Sequence, residues 1–330
     1  MMQAPRFWQN PPDQPGFFAH ALAPLSWTYA KATAVRVAKP AGYRSKLPVI
    51  CVGNLNAGGT GKTPTVLALA AHLKGKGFEP AVLSRGHGGT LTTATQVRPE
   101  HTAQEVGDEP RLIAESLPCF VGRDRGETAR LAEATNASVL ILDDGFQNQT
   151  LHKDLNLVIV NAKRGFGNGR VIPAGPLREP VNLGLARADA VVSIGPEIDQ
   201  EAFSNTWPLP AACPRLMAEF EVLPTGMPWQ NMPCIAFAGI GNPEQFFQTL
   251  KGLGTDIKRS VALGDHQPLT PALMTRLKED ARKKGAQLVT TEKDAVRLPR
   301  DMRATVLVVP VRLKFTAPND LNAVLAPLGL

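Results

Sequence analysis

Between Leu47 and Gly195, short apolar runs alternate with stretches in which apolar residues recur every three or four positions. The runs are LPVICVG (47–53), PAVLSRG (80–86), PCFVG (118–122), SVLILDD (138–144), LNLVIVN (155–161) and AVVSIG (190–195). Several are apolar without alternation, the mark of strands buried on both faces beneath covering helices. Between the first two, Val66, Leu69, Ala70 and Leu73 form one helical stripe that stops near Gly75 and Gly77. The pattern predicts a doubly wound α/β/α sandwich. After the Pro-rich break TWPLPAACP (206–214) the layout begins again on a smaller scale. LMAEFEV (216–222) alternates like a half-exposed strand. CIAFAG (234–239), IKRSVAL (257–263) and AQLVTT (286–291) read as strands, with helices near 243–253 and 271–284. ATVLVVPVRL (304–313) is extended. The expected organisation is an N-terminal helical segment (1–46), a large nucleotide-binding domain (47–215), linking strands (216–222 and 304–313), a smaller α/β lobe (230–303) and a C-terminal segment (314–330) that packs back on the large lobe.

The N-terminal stretch FFAHALAPLSWTYAKATAVRVAK (17–39) is the most apolar candidate for a membrane segment, yet it holds Pro24, His20 and Lys31 and no run of eighteen apolar residues. It predicts no spanning helix, and it lacks the basic start and cleavage site of a secretion signal. Phe18, Leu22, Leu25 and Tyr29 share one helical face, with Trp27 beside them and basic residues from Lys31 onward. Two readings fit: a helix lying in a membrane interface, or one packed on the protein's own core. Charge adds to the first. The chain carries a net +7, and no Asp or Glu occurs from Gln14 to Phe78, which suits an anionic partner such as a nucleotide, a nucleic acid or a membrane surface. A basic motif interleaved with aromatics is missing, so nucleic acid is not expected. The four cysteines, Cys51, Cys119, Cys213 and Cys234, show no paired spacing and are expected to be structural, without zinc or disulfides.

The chemistry concentrates at NAGGTGKTP (56–64). A strand leads into Gly58, Gly59 and Gly61, then Lys62 and Thr63, then an amphipathic helix. Glycines let backbone N–H groups turn inward around phosphate oxygens, and the helix N-terminus adds free donors. Residues Asn56, Ala57, Gly58, Gly59, Thr60, Gly61, Lys62 and Thr63 are therefore expected to form a phosphate-binding loop for a nucleotide, Lys62 reaching the β and γ phosphates and Thr63 binding Mg2+. Asn56 stands where the usual pattern has glycine, and tolerance of left-handed backbone is the expected reason. Asp143 and Asp144 end a strand about 80 residues later, at the edge where ligands bind. Alternation along a strand points them to opposite faces, so one of the two is expected to contact Mg2+. RGFGNGRVIPAGPLREP (164–180) is a long irregular loop of the substrate or lid kind, with Arg178 and Glu179 as its charged tools. A guanine-recognition motif is absent, since TEKD (291–294) has the wrong order. Nucleotide hydrolysis or phosphoryl transfer follows from these pieces, and a nucleotide-dependent switch stays open beside a kinase.

The motifs VGNLNAGGTGKTP (52–64), LSRGHGG (83–89), VGDEPRLIA (106–114), LILDDGFQ (140–147), PAGPLREP (173–180), FAGIGNP (237–243), GDHQPLT (264–270) and TTEKDAVR (290–297) together resemble the tetraacyldisaccharide 4′-kinases, the lipid A 4′-kinases of Gram-negative bacteria. The chain departs from the family pattern at His87, often an aromatic there, and at Gln267, a second His in some members. The resemblance implies two α/β/α lobes joined by a two-stranded ribbon. It implies transfer of the ATP γ-phosphate to the 4′-hydroxyl of an acylated disaccharide 1-phosphate, giving lipid IV-A. The protein is then expected as a monomer held peripherally or monotopically at the cytoplasmic face of the inner membrane. The family's Asp–His dyad maps onto Asp108, as base, and His266, which orients or tunes it. Lys62, Arg178 and Mg2+ would neutralise the transferring phosphoryl group. Thr63, Asp143, Asp144 and Glu179 form the pool of metal ligands and their supports. From its sequence neighbours alone, Asp108 also reads as a helix N-cap.

Overall fold

A computed structural model describes residues 4–241, 243–264, 267–298 and 300–330. Its strands are β1 (Val49–Gly53), β2 (Pro80–Ser84), β3 (Thr95–Gln96), β4 (Cys119–Val121), β5 (Val139–Asp143), β6 (Leu155–Asn161), β7 (Ala190–Ile194), β8 (Arg215–Val222), β9 (Pro233–Ala238), β10 (Asp256–Ala262), β11 (Gln287–Thr291), β12 (Val306–Val309) and β13 (Val311–Phe315). They form a nine-stranded sheet, ordered β13-β8-β7-β6-β1-β5-β2-β4-β3, and a four-stranded sheet, ordered β10-β9-β11-β12. The chain accordingly divides into two compact units, one running to Phe220 and resuming at Leu313, the other spanning Glu221–Arg312.

In the larger unit, β8 through β4 run parallel, and β3 joins antiparallel at the edge. β1 is buried from end to end because its side chains feed two cores in turn. Ile50 and Val52 pack with Val66, Leu69, Ala70 and Leu73 of helix Lys62–Gly75, and with Leu321 and Leu325 of helix Pro318–Leu325. Val49 and Cys51 face the other way, toward Ala129, Ala132, Phe146, Phe166 and Phe203. Burial on both faces is what made the strands apolar without alternation. β1 lies between β6 and β5 with its successor β2 beyond β5, so the chain reverses its direction of travel across the sheet at β1, and ligands bind beyond the carboxyl ends of strands at such a point.

The smaller unit is a parallel sheet. Helix Pro271–Lys283 lays Met274, Leu277 and Ala281 on one face with Ile235 and Phe237, and helix Pro243–Gly252 lays Phe246, Phe247 and Leu250 on the other with Cys234 and Ala236. The stretch 304–313, read from sequence as one extended segment, is divided. Val306–Val309 completes the small sheet, and Val311–Phe315 joins the large one beside β8. Pro310 marks the break, having no N–H to carry a ladder onward.

The N-terminal stretch forms helices Phe17–Ala21 and Ala23–Val37. No described helix is long and apolar enough to cross a membrane. Burial on these helices is inverted. Ala19, Ser26 and Thr33, seven residues apart, face the protein, while Phe17 (79% exposed), Phe18, Leu25, Trp27 (80%) and Val35 face outward. The helices do pack on the protein, through this small-residue face and with Ala30 against the core, and they leave the aromatic face outward. All four cysteines are buried and unpaired.

Candidate active site

The glycine loop is shaped from inside by Asn54, whose fully buried Nδ2 donates to the carbonyl oxygen of Asn56 (2.7 Å) and to Thr60 Oγ1 (3.0 Å). Gly58 and Gly61 take left-handed φ values of 110° and 98°. At Gly61 a Cβ would also stand 2.6 Å from Ile194 Cδ1, so only glycine fits before helix Lys62–Gly75 begins. Asn56 is different. It is not among the positive-φ residues, which corrects the left-handed explanation for the missing glycine. Instead Asn56 bridges Leu177 as a short antiparallel contact, and its Nδ2 donates to the Gly165 carbonyl (3.2 Å). Asparagine ties this loop to the 164–180 loop. Two backbone bonds do the same, Ala57 N–H to the Pro176 carbonyl and Arg178 N–H to the Leu55 carbonyl, each 2.7 Å.

At the mouth of the loop stands a charge cluster. Arg178 grips Asp144 with both terminal nitrogens, Nη1 to Oδ1 at 2.8 Å and Nη2 to Oδ2 at 3.3 Å. Lys62 Nζ lies 3.7 Å from the same Oδ1. Asp144 follows β5 with a positive φ of 51°, and that turn breaks the strand alternation. Lys62 favours the charged form of both carboxyls. Their charge states diverge. Burial, then Glu109, then Asp144 push the Asp143 carboxyl up to about 8. Burial also raises Asp144, but Lys62 and Arg178 outweigh it and hold it below the usual carboxylate range.

The residues suit a divalent cation. Asp143 is 2% exposed, and its Oδ1 has no hydrogen-bond partner, a costly state that a hard cation relieves. Among the described residues there is no group of three or more His, Cys, Asp or Glu that could hold an ion. Thr63 is the second residue of the helix at the loop's end. Glu179 is buried, Oε1 accepts from Gln147 Nε2 (2.9 Å) and Oε2 is paired with Arg187. These contacts suit the supporting role within the pool of metal ligands and their supports. Gln147 passes the brace on, donating to the Asn54 carbonyl (3.0 Å) and accepting from Arg178 (3.3 Å).

Asp108 begins helix Asp108–Ile113, and the N-cap is Gly107, not Asp108. Gly107 has φ 94°, and a Cβ there would meet the His87 carbonyl oxygen at 2.7 Å. The SRGHGG turn thus presses on the start of this helix. The neighbouring Glu109 reaches Asp143 electrostatically, which brings the head of the helix to the aspartate pair. His266 lies outside the described residues. Its flanks are tied down within the smaller unit: Gly264 N–H donates to Gln267 Oε1 (2.9 Å), and Arg297 Nη1 donates to the Gln267 carbonyl (3.1 Å). Arg297 is paired with the buried Asp294.

Sequence reasoning missed several of these groups. Asn54 and Gln147 sit inside quoted motifs without standing out there, and Arg187 lies in none of them. Glu109 was overshadowed by Asp108. Arg125 is 2% exposed, donates to the Gly122 carbonyl and is pushed down to about 10 by burial, against the attraction of Asp143. Its one sequence signal is its place as the first residue of a helix that Asp124 caps.

A parallel sheet with a glycine loop at its switch point, a lysine at the helix start and an aspartate pair on the adjoining strand define an α/β protein of the phosphate-loop class. Within that class the chain belongs to the tetraacyldisaccharide-1-P 4′-kinase family, whose model matches residues 18–328. It is 54% identical to a tetraacyldisaccharide 4′-kinase of Dinoroseobacter shibae, over 99% of this chain and 98% of that protein. It is 45% identical to one of Rhodospirillum rubrum, over 100% and 98%. Its fold matches LpxK from Aquifex aeolicus, crystallised with ATP, with a TM-score of 0.75 and 28% identity over 94% of this chain and 99% of that one.

Proposed function

We propose that this protein is an ATP-dependent kinase in lipid A biosynthesis, moving the γ-phosphate of ATP onto the 4′-hydroxyl of tetraacyldisaccharide 1-phosphate to give lipid IV-A. Family membership supports the reaction. The observation that carries the chemistry is the Lys62–Asp144–Arg178 cluster at the mouth of the glycine loop. Two cations converging on one carboxylate can serve the oxygens of a transferring phosphoryl group, where charge stabilisation supplies most of the catalysis.

Loop amides 56–61 and Lys62 hold the nucleotide phosphates. Asp143 or Asp144, together with the Thr63 hydroxyl, would hold Mg2+, which would offset the charge of the phosphates when bound. Asp108 accepts the proton as the 4′-oxygen bonds to the γ-phosphorus and the bond to the β-phosphate oxygen breaks, releasing ADP. His266 orients or tunes Asp108, the role carried over from the family. Arg178 is held in line by Asp144 and Gln147, with Glu179 and Arg187 behind them. The outward aromatic face of helices Phe17–Ala21 and Ala23–Val37, with Lys31, Arg36 and Lys39 nearby, docks the chain peripherally on the cytoplasmic face of the inner membrane, where the acyl chains of the substrate are anchored. It works there as a monomer.

The test is incubation of the protein with Mg2+, γ-labelled ATP and the disaccharide 1-phosphate in mixed micelles. Label in the lipid, at the 4′ position, is the expected result. Phosphate release without lipid labelling would favour the nucleotide-driven switch instead.

A further inference from the structure

The 164–180 loop has two sides. Gly165, Asn56, Pro176 and Arg178 bind it to the glycine loop. Its other side is bound to the N-terminal segment through a set of largely buried polar contacts. Ser26, 7% exposed in the middle of helix Ala23–Val37, donates from Oγ to the Val171 carbonyl (2.7 Å) and accepts from the Ala174 N–H (3.1 Å). Asn168, 1% exposed, donates from Nδ2 to the carbonyls of Phe7 (3.1 Å) and Ala174 (2.9 Å), accepts from the Arg170 N–H on Oδ1 (3.1 Å), and gives its own N–H to the Trp8 carbonyl (2.9 Å). Trp8 Nε1 donates to the Pro173 carbonyl (3.0 Å). Gly167 lies so near that a Cβ would meet the Trp8 carbonyl oxygen at 2.5 Å.

An irregular loop has no ladder of its own to satisfy its backbone. Here Ser26, Asn168 and Trp8 supply the partners for Val171, Pro173 and Ala174, which precede Arg178 by four to seven residues. We propose that Ser26 and Asn168 are positioning residues for phosphoryl transfer: they clamp the 164–180 loop between the N-terminal helices and the glycine loop, and so fix where Arg178 stands. The helices that carry the exposed aromatics are thereby part of the scaffold of the catalytic site as well as an anchor. The proposal rests on the assignment of Arg178 to the transferring phosphoryl group.

The measurement is kcat and KM, for ATP and for lipid, of the full-length protein in mixed micelles of one composition. Ser26→Ala and Asn168→Asp are expected to lower kcat by about tenfold or more, with KM for lipid changing by less than about twofold, because a misplaced transition-state cation costs rate rather than capture. Ser26→Thr keeps the hydroxyl and restores most of the rate. Thr28→Ala, whose hydroxyl bonds only to the Leu25 carbonyl of its own helix, leaves it unchanged. Trp8→Phe removes a single donor at the loop's outer edge and decides the matter if Ser26→Ala does not fold: a reduced kcat supports the clamp, and a wild-type kcat overturns it. Wild-type kcat in a folded Ser26→Ala, a rise in lipid KM alone, or a loss that tracks the unfolded fraction by circular dichroism also overturns it. Failure of the wild-type enzyme to label lipid would strike the kinase reading and not the clamp.

Discussion

Residues in one cluster differ in what they are asked to do, and their protonation behaviour separates them. Asp143 is a carboxyl whose folded value, about 8, lies far above the ordinary 3.8. The folded state therefore binds the proton more tightly than the unfolded state. Its contribution to stability is complete below about 4 and is lost as pH rises toward 8. The melting temperature of the nucleotide-free protein should fall between about pH 4 and pH 8, and Asp143→Asn should flatten that fall. A cation needs the carboxylate, so Mg2+–ATP binding to the wild type should tighten over the same interval; calorimetric titration at three pH values checks the sign. Asp108 carries a different expectation. Acting as base, its replacement in Asp108→Ala should lower kcat by roughly 10²–10⁴ with little change in melting temperature. Unchanged turnover would leave it merely the first residue of a short helix.

At the level of elements, the central strands of the large sheet were legible because burial on two faces writes itself as unbroken Val, Ile and Leu, whereas β8 showed itself by alternation. The glycine loop was legible because strand, glycines, lysine and helix appear in order. What escaped depends on contacts distant in sequence. The bond between Asn56 and Gly165 spans 109 positions, and nothing near residue 56 announces it. Glu179 reads like a free carboxylate until Gln147 and Arg187 are seen upon it. β3 is two residues long, below the reach of any periodicity. The loop itself makes a prediction. Gly61→Ala places a Cβ in left-handed backbone, at roughly 1–2 kcal/mol, and against Ile194. KM for ATP should rise by about tenfold or more, an order set by 1.4 kcal/mol per decade, with the circular dichroism spectrum retained. An ATP titration of the purified variant reads this directly, and a wild-type KM would mean the loop relaxes around the methyl group.

Across the whole molecule, the N-terminal helices show where the sequence was least decisive. Their apolar face could have closed a core, and only the burial of Ala19, Ser26 and Thr33 beneath it tells which side is the outside. Replacing Phe17, Phe18, Leu25 and Trp27 with serine should abolish flotation with liposomes while leaving the melting temperature within about 1 °C, since surface positions away from packed features change stability little. Retained flotation would assign docking to another surface. This inside-out arrangement also separates two selective pressures. On the proposed docking, the exposed side chains carry little of the packing, so they are free to follow the envelope chemistry of each host, whereas the small residues underneath answer to a fixed partner. Chains from bacteria with dissimilar lipids should thus drift at 17, 18, 25 and 27 and hold still at 19, 26 and 33.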